Sequence, residues 1–210
     1  MTDDRVLASP GFLAAAREVM AATGGGAAFH LRGPRTSGRR LWEIGSALRP
    51  GARREGVTFL VNDRVDLALV LEADGAHLGE RSLRTADARA ILGPGALLGC
   101  SVHDAPGAGS AGEGAVSGAG ADFLVAGPVF ATPSHPGRSG IGPEGLGRIV
   151  TAGRGIPVVA IGGITAKTIP AVLGAGAHGV AVVRSAWESV AVRNAVLKLM
   201  RELGGTEEGS

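Results

Sequence analysis

Apolar residues fall along the chain in short dense runs, each followed by a longer segment where they recur every three or four positions. The runs are "AAFHLR" (27–32), "VTFLVN" (57–62), "GAHLG" (75–79), "LLGCSV" (97–102), "DFLVAGPV" (122–129), "PVVAIGG" (157–163) and "GVAVVRS" (179–185). Near-continuous apolarity in "VVAI" and "VAVV" is what a parallel strand covered on both faces requires. The intervening periodicity predicts helices over 10–22, 38–48, 64–72, 85–92, 144–152, 166–174 and 187–203. One connection, "APGAGSAGEGAVSGAGA" (105–121), predicts only a short or frayed helix, because each interior glycine costs about 1 kcal/mol relative to alanine.

Strand followed by helix, repeated along the chain, reads as successive βα units and a parallel sheet. A doubly wound open sheet would place a glycine-rich phosphate turn after its first strand, and "HLRGPRTS" is not one. The expected fold is therefore α/β, a (β/α)8 TIM barrel with its first strand truncated, since "MTDDRVLASP" is too short and polar to supply an eighth. Either a segment upstream or residues 1–9 should then fill part of the gap. Residues 1–204 are expected to form a single barrel domain and 205–210 a flexible tail.

Composition narrows the function classes. The 210 residues suit one substantial core, and 45% are apolar, which argues against disorder. A net charge of +2 with interspersed signs gives no nucleic-acid footprint, and "RGPRTSGRR" reads as a solvated loop and helix start. The single cysteine, Cys100, excludes an internal disulfide framework and fits a reducing compartment. No apolar stretch approaches the roughly 20 residues of a membrane span, and the opening residues do not read as a secretory leader, so the expected location is cytoplasmic. With 36 glycines, no isolated glycine carries an argument.

In a barrel of this kind the chemistry gathers at the C-terminal ends of the strands. Those ends carry His30 and Arg32, then Asn62 and Asp63, then Glu80, then Ser101 and His103. Thr132, Ser134 and His135 follow in a long loop, then Gly162-Gly163, then Val183-Arg184-Ser185. "AIGGIT" sets two glycines between a strand and a helix start, and "VVRSAW" adds a cation and a hydroxyl at the next strand end. Together they read as a phosphate cradle. The bland readings make His77 a packed barrel residue and His178 structural or solvent-facing. Cys100 would pack against a helix, and Trp42 and Trp187 would be packing residues.

The runs "VNDRVDLALVLEADGAHLGE", "GCSVHD", "GAGADFLVAGPVFATPSHPG", "IPVVAIGGIT" and "AGAHGVAVVRSA" resemble the thiamine phosphate synthase/TenI family across nearly the whole chain. The resemblance implies a barrel that binds thiazole phosphate, with the phosphate at Gly162, Gly163 and the Val183-Arg184-Ser185 end. It also implies substrate contacts from His30, Arg32, Asn62, Ser101, Thr132 and Ser134. The synthase branch joins hydroxymethylpyrimidine pyrophosphate to thiazole phosphate with the help of Mg²⁺. Against its pattern this chain keeps Arg32 and Asn62-Asp63. It has His30 for a glutamine, Pro34 and His135 for two lysines, and Ser82 for the second Mg²⁺ carboxylate. Those departures all weaken the handling of a diphosphate. The TenI-like branch includes thiazole tautomerases that need a general acid/base and no metal, and the resemblance places their histidine at His103. The favoured expectation is a TenI-like thiazole tautomerase without a cofactor. A divergent synthase with Mg²⁺ at Asp63, or a non-catalytic thiazole-phosphate binder, is the alternative. A homo-oligomer is possible under each.

Overall fold

The computed structural model of the chain describes residues 1–116, 120–132 and 139–204. The expected tail 205–210, and Ser134, His135 and Arg138 of the long loop, lie outside the described residues. Seven parallel strands form one sheet in chain order. They are β1 (Ala28–Leu31), β2 (Thr58–Asn62), β3 (Gly75–Leu78), β4 (Leu97–Val102), β5 (Phe123–Ala126), β6 (Val158–Ile161) and β7 (Gly179–Ala181). Each lies inside a run marked out by the apolar pattern. Helices α1 (Asp4–Leu7), α2 (Phe12–Thr23), α3 (Gly38–Glu55), α4 (Val65–Val70) and α5 (Thr85–Leu92) are followed by α6 (Ala105–Val116) and α7 (Gly142–Ala152). The order closes with α8 (Ile169–Gly174), α9 (Arg184–Trp187) and α10 (Val192–Gly204).

The described sheet has the seven strands that the apolar runs mark, it is not a complete eight-stranded barrel, and no regular strand precedes β1. The first two residues instead hydrogen-bond to both ends of the sheet. The Met1 nitrogen donates to Val182 O at 3.2 Å, just past β7. The Thr2 N–H donates to His30 O at 3.0 Å on β1, and the Arg32 N–H donates to the Thr2 hydroxyl at 2.8 Å. Unpaired strand edges are a liability that proteins cover, and a two-residue bridge partly covers these. Trp187 fastens the bridge by donating Nε1–H to Met1 O at 2.8 Å.

Two helices depart from the periodicity reading. α3 runs seven residues past 48, through Pro50, because Leu41, Ile44, Leu48 and Ala52 continue one buried stripe. Ser37 caps its start by accepting from Arg40 N, and Gly56 ends it in the left-handed conformation that glycine adopts without strain. The segment 187–203 is not one helix: α9 stops at Trp187 and α10 begins at Val192. Trp187 packs edge-on against Phe29 and beside Phe12, as a packing residue should, whereas Trp42 is 46% exposed and does not serve as one.

Residues alternate across the sheet as pleating requires. Phe29, Phe59, Ala76, Leu98 and Leu124 are buried. On the other parity, Asn62 pairs in register with His77, and Ser101 with Val125. Gly99 makes room there for the Phe123 ring, which a β-carbon at that position would meet at 2.2 Å. Phe123 in turn stacks on His77 with ring centroids 6.4 Å apart. Paired acid–base clips hold the opposite ends of the strands. Arg49 grips Asp74, which accepts the Phe59 N–H, and Arg89 grips Asp122, which accepts the Leu98 N–H.

Candidate active site

A large cavity of about 1860 Å³ opens at the C-terminal ends of the strands. Of the residues expected from sequence, Arg32, Asn62, Asp63, Ser101, His103 and Thr132 line it. The proposed cradle residues Gly162, Gly163, Val183, Arg184 and Ser185 line it as well. His30 does not. It lies beneath the cavity, 6% exposed and edge-on to His77 with centroids 4.9 Å apart, and its Nε2 has no hydrogen-bond partner among the described residues. Desolvation, with the neighbouring His77, pushes the His30 pKa well below the ordinary histidine value. The expectation of His30 as a substrate contact is therefore corrected: β1 aims it into the floor.

His77 moves the other way. Expected to be a packed histidine, it is 4% exposed yet touches the cavity, joined to Asn62 Oδ1 through Nδ1 at 3.1 Å and to Ser101 Oγ through Nε2 at 3.2 Å. The signal was available in the alternation of β2, β3 and β4, which sets Asn62, His77 and Ser101 on one face.

Asp63 begins the loop after β2 with φ +59, a left-handed conformation that aspartate tolerates better than most residues. That turn brings its carboxylate to the loop after β3. Oδ1 accepts the Gly79 N–H at 2.8 Å and the Ser82 hydroxyl, and Oδ2 accepts Asn62 Nδ2. Both oxygens are thus already engaged within the protein.

His103 follows β4. Its Nδ1 donates to Gly127 O at 2.5 Å, since a carbonyl only accepts, and its Nε2 lies 3.4 Å from Glu80 Oε1 at the cavity rim. This leaves Nε2 as the nitrogen open to proton exchange.

At the far side, Gly162 and Gly163 have φ of +97 and +65 and press against the segment after β5. A β-carbon on Gly163 would come within 2.7 Å of Phe130 Cβ, so both the conformation and the approach require glycine. Arg184 Nη2 reaches across to the Thr132 hydroxyl at 2.6 Å, while Ser185 Oγ donates to Ile164 O. The Ser185 hydroxyl is therefore partly committed to the fold.

The donor set bears on Mg²⁺. Among the described residues, no group of three or more His, Cys, Asp or Glu side chains is placed to hold a metal ion. Mg²⁺ is commonly held by one or two carboxylates together with substrate phosphates. Asp63, with Glu80 near it on the rim, fits an ion that brings its own phosphate oxygens and does not fit a resident one.

A parallel βα sheet with a polar cavity at its strand C-termini is the arrangement found in barrel-type enzymes. A family model described as thiamine monophosphate synthase matches residues 8–186. A thiamine-phosphate synthase of Moorella thermoacetica is 43% identical over 164 residues, 78% of this chain and 75% of that protein. One from Desulfitobacterium hafniense is 40% identical over 188 residues, 87% of this chain and 86% of that protein. The solved thiamine phosphate pyrophosphorylase of Pyrococcus furiosus superposes with a TM-score of 0.82 at 36% identity, covering 97% and 94% of the two chains. The chain belongs to the thiamine monophosphate synthase family. Among the described residues no helix is long and apolar enough to cross a membrane.

Proposed function

We propose that this chain is a thiamine phosphate synthase, joining a hydroxymethylpyrimidine diphosphate to a thiazole phosphate. The names of its relatives favour this transferase reading over the tautomerase expected from the motif departures. The observation that carries it is the convergence of Arg32, Asn62, Asp63, Ser101 and Thr132 with the glycine pair in one cavity. In the reaction, the ring nitrogen lone pair of the thiazole forms the new C–N bond at the pyrimidine methylene carbon. The C–O bond to diphosphate breaks with its electron pair leaving on oxygen, and no proton need move.

Arg32, which the family pattern shares, supplies fixed positive charge to the departing group, and the rim guanidiniums of Arg35 and Arg81 add to it in place of the family lysines. Asp63 and Glu80 would hold a Mg²⁺ that arrives on the diphosphate, and that ion would neutralise further charge on the leaving oxygens. Gly163 and Arg184 hold the thiazole phosphate at the opposite side, so the two substrates enter with their anionic ends apart. Ser134 is a further contact to the substrates.

His103 favours a second reading, the tautomerase. Its Nε2 sits beside Glu80 and is open to take and return a proton. Assaying both reactions on the wild type and on His103→Ala separates the two. Under the synthase reading His103→Ala retains product formation within about tenfold, because no proton transfer is lost. Under the tautomerase reading the wild type consumes the carboxythiazole tautomer, and the variant loses about 10²–10⁴-fold of that rate.

A further inference from the structure

The hydrogen bonds of the cavity floor form one chain whose direction follows from its first member. A carboxylate only accepts. Asp63 Oδ2 lies 2.5 Å from the Asn62 amide, so that amide turns its NH₂ toward Asp63 and its Oδ1 toward His77. Oδ1 carries no proton, so the His77 nitrogen facing it at 3.1 Å, Nδ1, must carry one. Burial holds the ring neutral by lowering its pKa to about 4, against the opposing pull of Asp63. A neutral imidazole with Nδ1–H has a bare Nε2, and Ser101 Oγ, 3.2 Å away, must then donate to it. The Ser101 proton points into the floor, and its lone pairs remain for whatever sits above.

We propose that His77 is a positioning residue that imposes this polarity, so that Ser101 accepts from the ligand and the ring seated there presents an N–H donor. The chemistry selected is an amino-substituted heteroaromatic ring, and a ring with a carbonyl at that position is rejected, acceptor against acceptor. The choice of the pyrimidine partner as that ring rests on the synthase reading. The polarity itself does not.

Two measurements test it separately. In the ligand-free wild type, ¹⁵N NMR of the histidine rings, with the His77 signals assigned by their loss in His77→Gln, is expected to show Nδ1 protonated and Nε2 bare. A His77 protonated on Nε2 overturns the proposal without reference to any substrate. In the second, binding of the aminopyrimidine diphosphate is compared with binding of its analogue carrying a ring carbonyl in place of the amino group. The wild type is expected to prefer the amino form by roughly tenfold, the usual consequence of opposing a half-buried acceptor with another. His77→Phe keeps the stacking shape but frees the Ser101 rotor, and the preference is expected to fall below about threefold. His77→Gln, whose amide both donates and accepts, is expected to restore it. Retention of the full preference in His77→Phe, or its absence in the wild type, overturns the proposal. If neither diphosphate binds while His77 shows the Nδ1–H form, the synthase reading fails and the polarity stands.

Discussion

Replacing Ser82 by aspartate restores a second carboxylate beside Asp63, and the structure sets what that should cost. The Ser82 hydroxyl donates to Asp63 Oδ1 and accepts the Gly79 N–H at 2.9 Å. Ser82→Asp removes a donor to a charged group and faces one carboxylate with another. Two unit charges about 4 Å apart repel by ~1 kcal/mol in bulk water and by ~4 kcal/mol at an effective dielectric of 20. Asp63 is exposed, so the lower part of that range applies. The total expected loss is about 2 kcal/mol, or a fall in Tm of roughly 4–8 °C for a chain of this size. Mg²⁺ should reverse it, since ligand at 100 times its Kd stabilises by about 2.7 kcal/mol. Thermal unfolding by circular dichroism, with and without Mg²⁺ and without any diphosphate, measures both effects. Ser82→Ala is the control: it should lose about 1 kcal/mol and ignore Mg²⁺. If the wild type gains as much from Mg²⁺ alone as Ser82→Asp does, the ion is resident and the reasoning about its delivery is wrong.

Three further outcomes are expected. His77 stays neutral in the folded protein but takes a proton below its ordinary 6.5 when unfolded, so stability should fall as pH drops from about 6.5 toward about 4. That displacement corresponds to about 3 kcal/mol, and urea unfolding of wild type against His77→Phe should show this part of the pH dependence vanish in the variant. Gly163→Ala should lower stability by about 1–3 kcal/mol as well as weaken thiazole phosphate binding, because its β-carbon meets Phe130. Unchanged stability would show that the loop yields freely. Arg184→Ala should weaken thiazole phosphate binding by roughly tenfold in calorimetry, the usual loss for a charged hydrogen bond, and undiminished affinity would remove Arg184 from the phosphate site.

All seven strands were legible because a parallel strand covered on both faces is apolar throughout, and "VVAI" or "FLVA" has few other readings. The missing eighth strand was legible as an absence, and so was a partial filling of the gap by residues 1–9, but not which two residues do it. That bridge depends on where the Met1 and Thr2 backbone groups fall relative to Val182 and His30. Most of the cavity followed from strand ends, since topology alone gathers them. His77 is packed as expected, but its contact with the cavity, and the retreat of His30 below it, were not legible because the sequence does not reveal which polar groups each buried imidazole meets. Asn62 and Ser101 stand in reach of His77, while His30 Nε2 finds none among the described residues. Ser82 was marked only through the family resemblance, and its hydrogen bond to Asp63 depends on the left-handed turn at residue 63, which no pattern announces.

The most direct test of the synthase assignment is a ³¹P NMR time course on the purified wild-type chain supplied with hydroxymethylpyrimidine diphosphate and thiazole phosphate. The account predicts that, with Mg²⁺ present, the diphosphate ester signal decays as free diphosphate and thiamine phosphate appear in equal amounts, and that chelation of Mg²⁺ slows this sharply. A diphosphate ester that persists unchanged with Mg²⁺, in a sample that converts the carboxythiazole tautomer, would contradict it.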